Sequence, residues 1–171
     1  MGIKSLEDAG GVREYIGKFH VNDAPINMIV TDPCYDAGTW CAARLSVRPG
    51  FYDCFIEYVD FKPEHGGNRI VALEARHQDS SDVQPTLLAK DTVIGVDSGS
   101  CGIYDIAYYI NNQKECKCGP YKYPGGYRLL GNGVTSGAGW GDGAYPLYLG
   151  YNSKSEIVSV RVEYSDLSEV E

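Results

Sequence analysis

Between Glu156 and Tyr164 the sequence EIVSVRVEY sets Val158, Val160, Val162 and Tyr164 on one side and Ser159, Arg161 and Glu163 on the other. A period of two belongs to a strand with one buried and one polar face, and a helix of 3.6 residues per turn cannot satisfy it. The preceding run AYPLYLGYN is separated from it by the short polar turn SKS, so the two read as an antiparallel hairpin. The same alternation recurs upstream. In TWCAARLSV, Cys41, Ala43, Leu45 and Val47 share a face; in FYDCFIEYVDF, Tyr52, Cys54, Ile56 and Tyr58 do so, with Asp53 and Glu57 opposite. These two runs flank Pro49-Gly50 and are expected to pair as a hairpin. NRIVALEARH continues the pattern, with Val71, Leu73 and Ala75 inward and Glu74 and Arg76 outward.

INMIVTD, ending at Asp32-Pro33, reads as a compact buried strand, and DTVIGVD as another. The 21 glycines and 14 tyrosines suit strands joined by tight turns. Helix is expected only at the start, in a segment spanning residues 1–24. There Ser5 can cap a turn with Asp8 three residues on, Gly10-Gly11 interrupts it, and VREYIGKF adds a second turn or two. Residues 78–90 read as a surface connection and 111–126 as an exposed loop. The expectation is a mainly β, single domain over 1–171: an antiparallel β-sandwich or open barrel of about eight or nine short strands with a short N-terminal helix.

The formal net charge of −8 argues against non-specific binding to nucleic acid, and no basic run offsets it. An acidic surface is suited instead to a basic patch on a protein partner. No apolar run is long enough to span a membrane, and MGIKSLEDAG lacks the apolar core of a signal peptide, so a cytoplasmic chain is expected. Its cysteines, Cys34, Cys41, Cys54, Cys101, Cys116 and Cys118, are then reduced. Cys116 and Cys118 form a C-x-C pair, which is not a zinc-knuckle spacing, and His20, His65 and His77 are scattered, so no metal ligand is assigned.

Two glycine-acid stretches nominate a site. GWGDGAYP at 139–146 places Asp142 between two glycines, with Trp140 and Tyr145 on either side; GVDSGSCGIYD at 95–105 places Asp97, Ser98 and Asp105 around further glycines. The Asp142 carboxylate can accept bonds from the turn's own amides and fix it, or be left open to a ligand. The oxygens of the second stretch suit a hard cation, but the spacing is not that of a calcium loop. Ser98 is not in a nucleophile elbow and has no histidine close in sequence. Neither a catalytic residue nor a cofactor is assigned.

TDPCYD at 31–36, followed by Trp40 and Cys41, resembles the opening of small uncharacterised phage and prophage proteins. GVDSGSCGIYD is similar to an element those proteins carry. SGAGWGDGAYPLYLGYNSKSEIVSVRVEY resembles the C-terminal signature of a bacterial family of uncharacterised domains. The resemblance implies a phage, prophage or bacterial cytosolic setting, and groups Asp32, Asp97 and Asp142 as recurring features. It supplies no activity. The candidate ligand- or partner-binding residues are therefore Asp32, Tyr35, Asp97, Ser98, Asp105, Trp140, Asp142 and Tyr145, with Lys117, Tyr121, Lys122 and Tyr123 as a contact loop. The expected function is protein binding, in which the domain inhibits or modulates a host or defence protein. The alternatives are a small-molecule or nucleotide-like ligand held between the glycine-rich turns, and an aspartate-dependent hydrolase, with or without a divalent metal. Oligomeric state is not set by any of these features.

Overall fold

The computed structural model describes residues 5–61, 67–80, 83, 87–117 and 126–164. Eleven strands and two short helices follow in chain order: β1 (Val12–Val21), β2 (Met28–Thr31), β3 (Ala43–Leu45), β4 (Gly50–Asp60), β5 (Asn68–His77), β6 (Leu87–Val96), β7 (Ser100–Asp105), α1 (Ile106–Asn111), α2 (Gln113–Cys116), β8 (Tyr127–Leu130), β9 (Gly133–Gly137), β10 (Gly143–Tyr151) and β11 (Ile157–Glu163). They form a six-stranded sheet, β1-β4-β5-β11-β10-β6, and a five-stranded sheet, β3-β2-β7-β9-β8. Every strand pair is antiparallel. The expected sandwich is present; the barrel is not closed.

The core lies between the sheets, where the alternating runs meet. Phe19, Tyr52, Cys54, Ile56, Leu73, Ala75, Val160 and Val162 of the large sheet pack against Met28, Val30, Cys101, Ile103 and Val134 of the small one. The C-terminal hairpin forms as its alternation dictates, with Leu147 opposite Val162 and Leu149 opposite Val160. A second cluster outside the small sheet packs Tyr104, Tyr109 and Cys116 around Ile29.

Four sequence expectations need correction. The N-terminal helical segment is one turn: Ser5 and Asp8 make a reciprocal capping box, with Asp8 N donating to Ser5 Oγ at 3.1 Å and Ser5 N to Asp8 Oδ2 at 3.3 Å. After it, VREYIGKF is strand β1 and pairs with β4, its register shifting between Tyr15 and Gly17. The bulge there breaks the alternation that would otherwise mark a strand. The hairpin expected across Pro49-Gly50 does not form either. β3 pairs with β2 in the small sheet, and β4 pairs with β1 and β5 in the large one.

One buried side chain holds that crossing in place. The buried Asn27 side chain donates to Val47 O at 2.8 Å and accepts from Val47 N at 2.8 Å, and Val47 bridges to Ile157. Val47 is thus pinned where the chain leaves one sheet for the other. The connection expected over 78–90 ends early, because β6 begins at Leu87. The loop expected over 111–126 is helical through Cys116, whose fully buried side chain anchors α2. Lys117 is exposed after it, while Cys118, Tyr121, Lys122 and Tyr123, like His65, lie outside the described residues.

The outer face of the large sheet carries a polar network that alternation alone would leave in water. Glu57, 5% exposed, accepts from Arg13 at 2.7 Å and from both terminal nitrogens of Arg161. Glu74, 2% exposed, accepts from Arg13 and from Ser159. Arg161 also donates to Glu163 at 3.0 Å. Burial alone would raise the Glu57 carboxyl, but hydrogen bonds and charge from Arg161 and Arg13 override it and hold it below its ordinary value. Arg161 is pushed above its own ordinary value: burial would lower it, but Glu57 and Glu163 prevail.

Candidate functional site

The glycine-acid stretches do meet, at one end of the sandwich. Asp32, just after β2, is completely buried and accepts four hydrogen bonds. Its Oδ1 takes Cys34 N at 2.8 Å and Ser98 Oγ at 2.8 Å; its Oδ2 takes Asp97 N at 2.8 Å and Ser98 N at 2.7 Å. A carboxylate so enclosed is a clamp between the end of β2 and the β6–β7 turn. That turn is tied in the same way to the turn after β9, by Ala138 N donating to Gly99 O at 3.0 Å. The structure therefore joins all three motif blocks into one rim.

Not every nominated residue is free to work there. Asp105, 1% exposed, caps α1 by accepting from Tyr108 N at 3.0 Å and holds Asn22 N at 2.8 Å. Its oxygens, like those of Asp32, are committed to the fold. Tyr145 is a core residue whose hydroxyl donates to Gly141 O at 2.7 Å and Ala138 O at 3.2 Å. That latch, with Gly141 N on Ala138 O at 2.8 Å, fixes the GWGDG turn. Gly139 and Gly141 have φ of 51° and 99°, backbone that glycine adopts without strain. Asp142 is exposed and contributes no hydrogen bond among the described residues, so of the two roles open to its carboxylate, fixing the turn is not the one it takes.

Asp97, Ser98, Tyr35, Asp142 and Trp140 remain at or near the surface. Tyr35 is raised above its ordinary pKa by burial and by Cys41, Asp32, Asp97 and Asp142, so these acids share one neighbourhood. Among the described residues no group of three or more histidine, cysteine or acidic side chains is placed to hold a metal. His77 is 6% exposed with both ring nitrogens engaged: Nε2 donates to Pro49 O at 2.9 Å and Nδ1 accepts from Asp79 N at 3.1 Å. That fixes its neutral tautomer and leaves no nitrogen for a base. Burial also pushes the Cys101 thiol up to about 12 and Cys116 up to about 11, as befits core thiols.

Behind the rim, between the sheets, lies a cleft of about 440 Å³. Its apolar floor is Ile56, Tyr58 and Ile70, and Gly99, Ser100, Gly137 and Gly139 from the two glycine-rich turns form one wall. Glu14 and Arg69 also line it. Arg69 stacks on Trp140, with its guanidinium carbon 4.5 Å from the ring centroid, and donates from Nη1 to Gly139 O at 3.1 Å. Trp140 in turn meets Phe61 edge-on at 5.3 Å. The Arg69 Nε is the one buried side-chain nitrogen or oxygen among the described residues that has no hydrogen-bond partner. No described carboxylate forms a salt bridge with it.

Sequence reasoning reached the glycine walls of this cleft and Trp140 but not Arg69 or Glu14. Arg69 sits in an alternating strand where a charged residue ordinarily faces water, and Glu14 in a run that reads as helical, so no local signal marks them. No curated protein and no solved structure matches the chain. Residues 109–162, which include the GWGDGAYP block and the final hairpin but neither of the upstream motif blocks, match a family described as Protein of unknown function (DUF4241).

Proposed function

We propose that this domain binds a small molecule in the cleft between its sheets, and that Arg69 receives an anionic group of that ligand. The observation that carries the reading is the Arg69 Nε, buried in the structure without an acceptor. A buried donor left unpaired costs roughly 1–3 kcal/mol, and a ligand that lets the guanidinium repack onto a carboxylate removes that cost. The volume lies within the range of small-molecule sites, and the apolar floor is of the kind that buries a ligand's body. The glycines in the wall hold that side of the cleft clear of side chains.

Trp140 supplies the readout. The chain has two tryptophans, so a Trp40→Phe variant leaves the one stacked on Arg69 as the sole indole. Titrating it with N-acetyl-leucyl-leucine, which carries one carboxylate and an apolar body, should give a saturable fluorescence change. Arg69→Met should weaken binding by roughly tenfold or more, the loss of a charge-assisted pair, and Arg69→Lys should fall between. The amide-capped peptide should bind as poorly to the parent as the acid does to Arg69→Met. An absence of saturable binding, or equal affinity in Arg69→Met with an unchanged melting temperature, would overturn the proposal.

A second reading, that the domain engages a protein in the cytoplasm of a bacterial or phage-infected cell, has its own support. Trp40 is 87% exposed, on the same β2–β3 connection as Tyr35, and large exposed aromatics are favoured anchors of protein contacts. In that case Trp40→Ala should abolish capture of a stoichiometric partner from bacterial lysate while the melting temperature holds. Capture that survives the substitution removes the support.

A further inference from the structure

Resting on the reading in which Trp40 anchors a protein contact, we infer that the partner's docking segment is basic. It sets a lysine or arginine beside apolar residues, and Asp97 and Asp142 receive the charge. Two attachments build this surface. Gly95 N donates to Cys41 O at 3.0 Å, and a Cβ at Gly95 would meet Cys41 Sγ at 2.7 Å, so the β2–β3 connection lies against β6 where only glycine fits. Asp32 fixes the start of the same connection to the β6–β7 turn. Trp40, the residue before Cys41, is thereby held at the edge of the large sheet with 87% of its surface exposed. Val93, two residues before Gly95, is 46% exposed on the face of β6 opposite the core residues Ile94 and Val96. An apolar surface therefore stands open there.

Its charge has one sign. The β6–β10 ladder ends with Val96 opposite Gly143, and Asp97 and Asp142 are the next residues on the two chains. Two exposed carboxylates thus flank the end of one ladder, where like charges repel. Asp97 is two residues, roughly 7 Å of strand, from the point where Cys41 holds Gly95. Neither acid has an ion pair among the described residues. Both act on Tyr35, whose hydroxyl is raised by burial first, then by Cys41, Asp32, Asp97 and Asp142. The connection at residues 32–42 contains no lysine or arginine, and Arg44 just beyond it is turned onto Ala37 O at 2.7 Å. Nucleic acid, a phosphopeptide or an anionic membrane would be repelled from this surface. A purely apolar partner would cover Trp40 but strip water from the carboxylates. A cationic side chain relieves their repulsion, and the indole serves its apolar neighbours or the cation itself.

The probe is a phage-displayed library of random heptapeptides panned on the parent protein. The enriched peptides should carry lysine or arginine next to apolar residues and lack acids. Synthesised, they should bind Trp40→Ala about thirtyfold more weakly, the scale of an interface anchor. The double variant Asp97→Asn/Asp142→Asn should weaken them by about fivefold or more, with no loss of melting temperature in either protein. Raised salt should act in the same direction on the parent. Asp23→Asn, which removes an exposed acid elsewhere on the chain, should leave affinity within about twofold. Peptides that need Trp40 but carry no basic residue, or that bind the double variant as tightly as the parent, would defeat the basic partner and leave the Trp40 contact standing. A library that yields no binder, or binders indifferent to Trp40→Ala, would defeat both.

Discussion

Replacing Asp32 by alanine should lower the unfolding free energy by about 3–5 kcal/mol, read from urea denaturation at neutral pH. The magnitude follows from what the carboxylate leaves behind. Three backbone N–H groups and one hydroxyl converge on it, and the side chain is wholly buried. Water cannot replace four well-aimed acceptor contacts in a closed space without opening the turn. Asp32→Asn should recover only part of the loss, because an amide presents donors of its own to a set of donors. The damage should spread along the rim, since the β6–β7 turn held by Asp32 also receives Ala138 through Gly99. If Asp32→Ala cost less than about 1 kcal/mol, the carboxylate would be dispensable to the fold and its place among ligand-binding groups would reopen.

Glu57→Gln should cost about 2–4 kcal/mol at neutral pH, because it strands Arg161, 14% exposed, with Glu163 as its remaining acid. The same network sets an acid limit. With the Glu57 carboxyl held below its ordinary value in the folded chain, the unfolded chain binds the proton more readily. The stabilisation is therefore complete above the unfolded pKa, about 4.3, and is lost as pH falls through the lower native value. The parent's advantage over Glu57→Gln should stay constant from pH 7 down to pH 5 and shrink below that. A gap between the two proteins that stays constant down to pH 3 would contradict the assignment.

Alternation made most of the sandwich readable in advance. Val158, Val160 and Val162 announced their strand because one face is buried for its whole length, and Tyr52, Cys54 and Ile56 did likewise. β1 was not readable because its bulge at Gly17 shifts the phase and its charges, Arg13, Glu14 and Lys18, fall at helix-compatible spacing. The sheet to which each strand belongs was not readable either. It turns on Asn27 gripping Val47, a contact across twenty positions that no window of sequence contains. The acidic turns were readable as features, but their roles were not. Asp32 and Asp142 look alike in sequence. One is closed in by donors more than sixty residues away, while the other stands in solvent. Arg69 is the converse case: an ordinary strand residue by pattern, distinguished only by a partner it lacks.

The position of β11 has a consequence for how the chain is made. Although it is the last described strand, it lies inside the large sheet, between β5 and β10, and the first strand pairs with the fourth at the far edge. A ribosome releases residues in order, so β5 emerges with one ladder partner, β4, and must wait for the other until residue 157 and beyond have cleared the exit tunnel. Until then an unpaired edge stands open to neighbouring chains on the same polysome, the circumstance in which strands pair wrongly. Synthesis of this sandwich is thus back-loaded, with its most central ladder closed by its final hairpin.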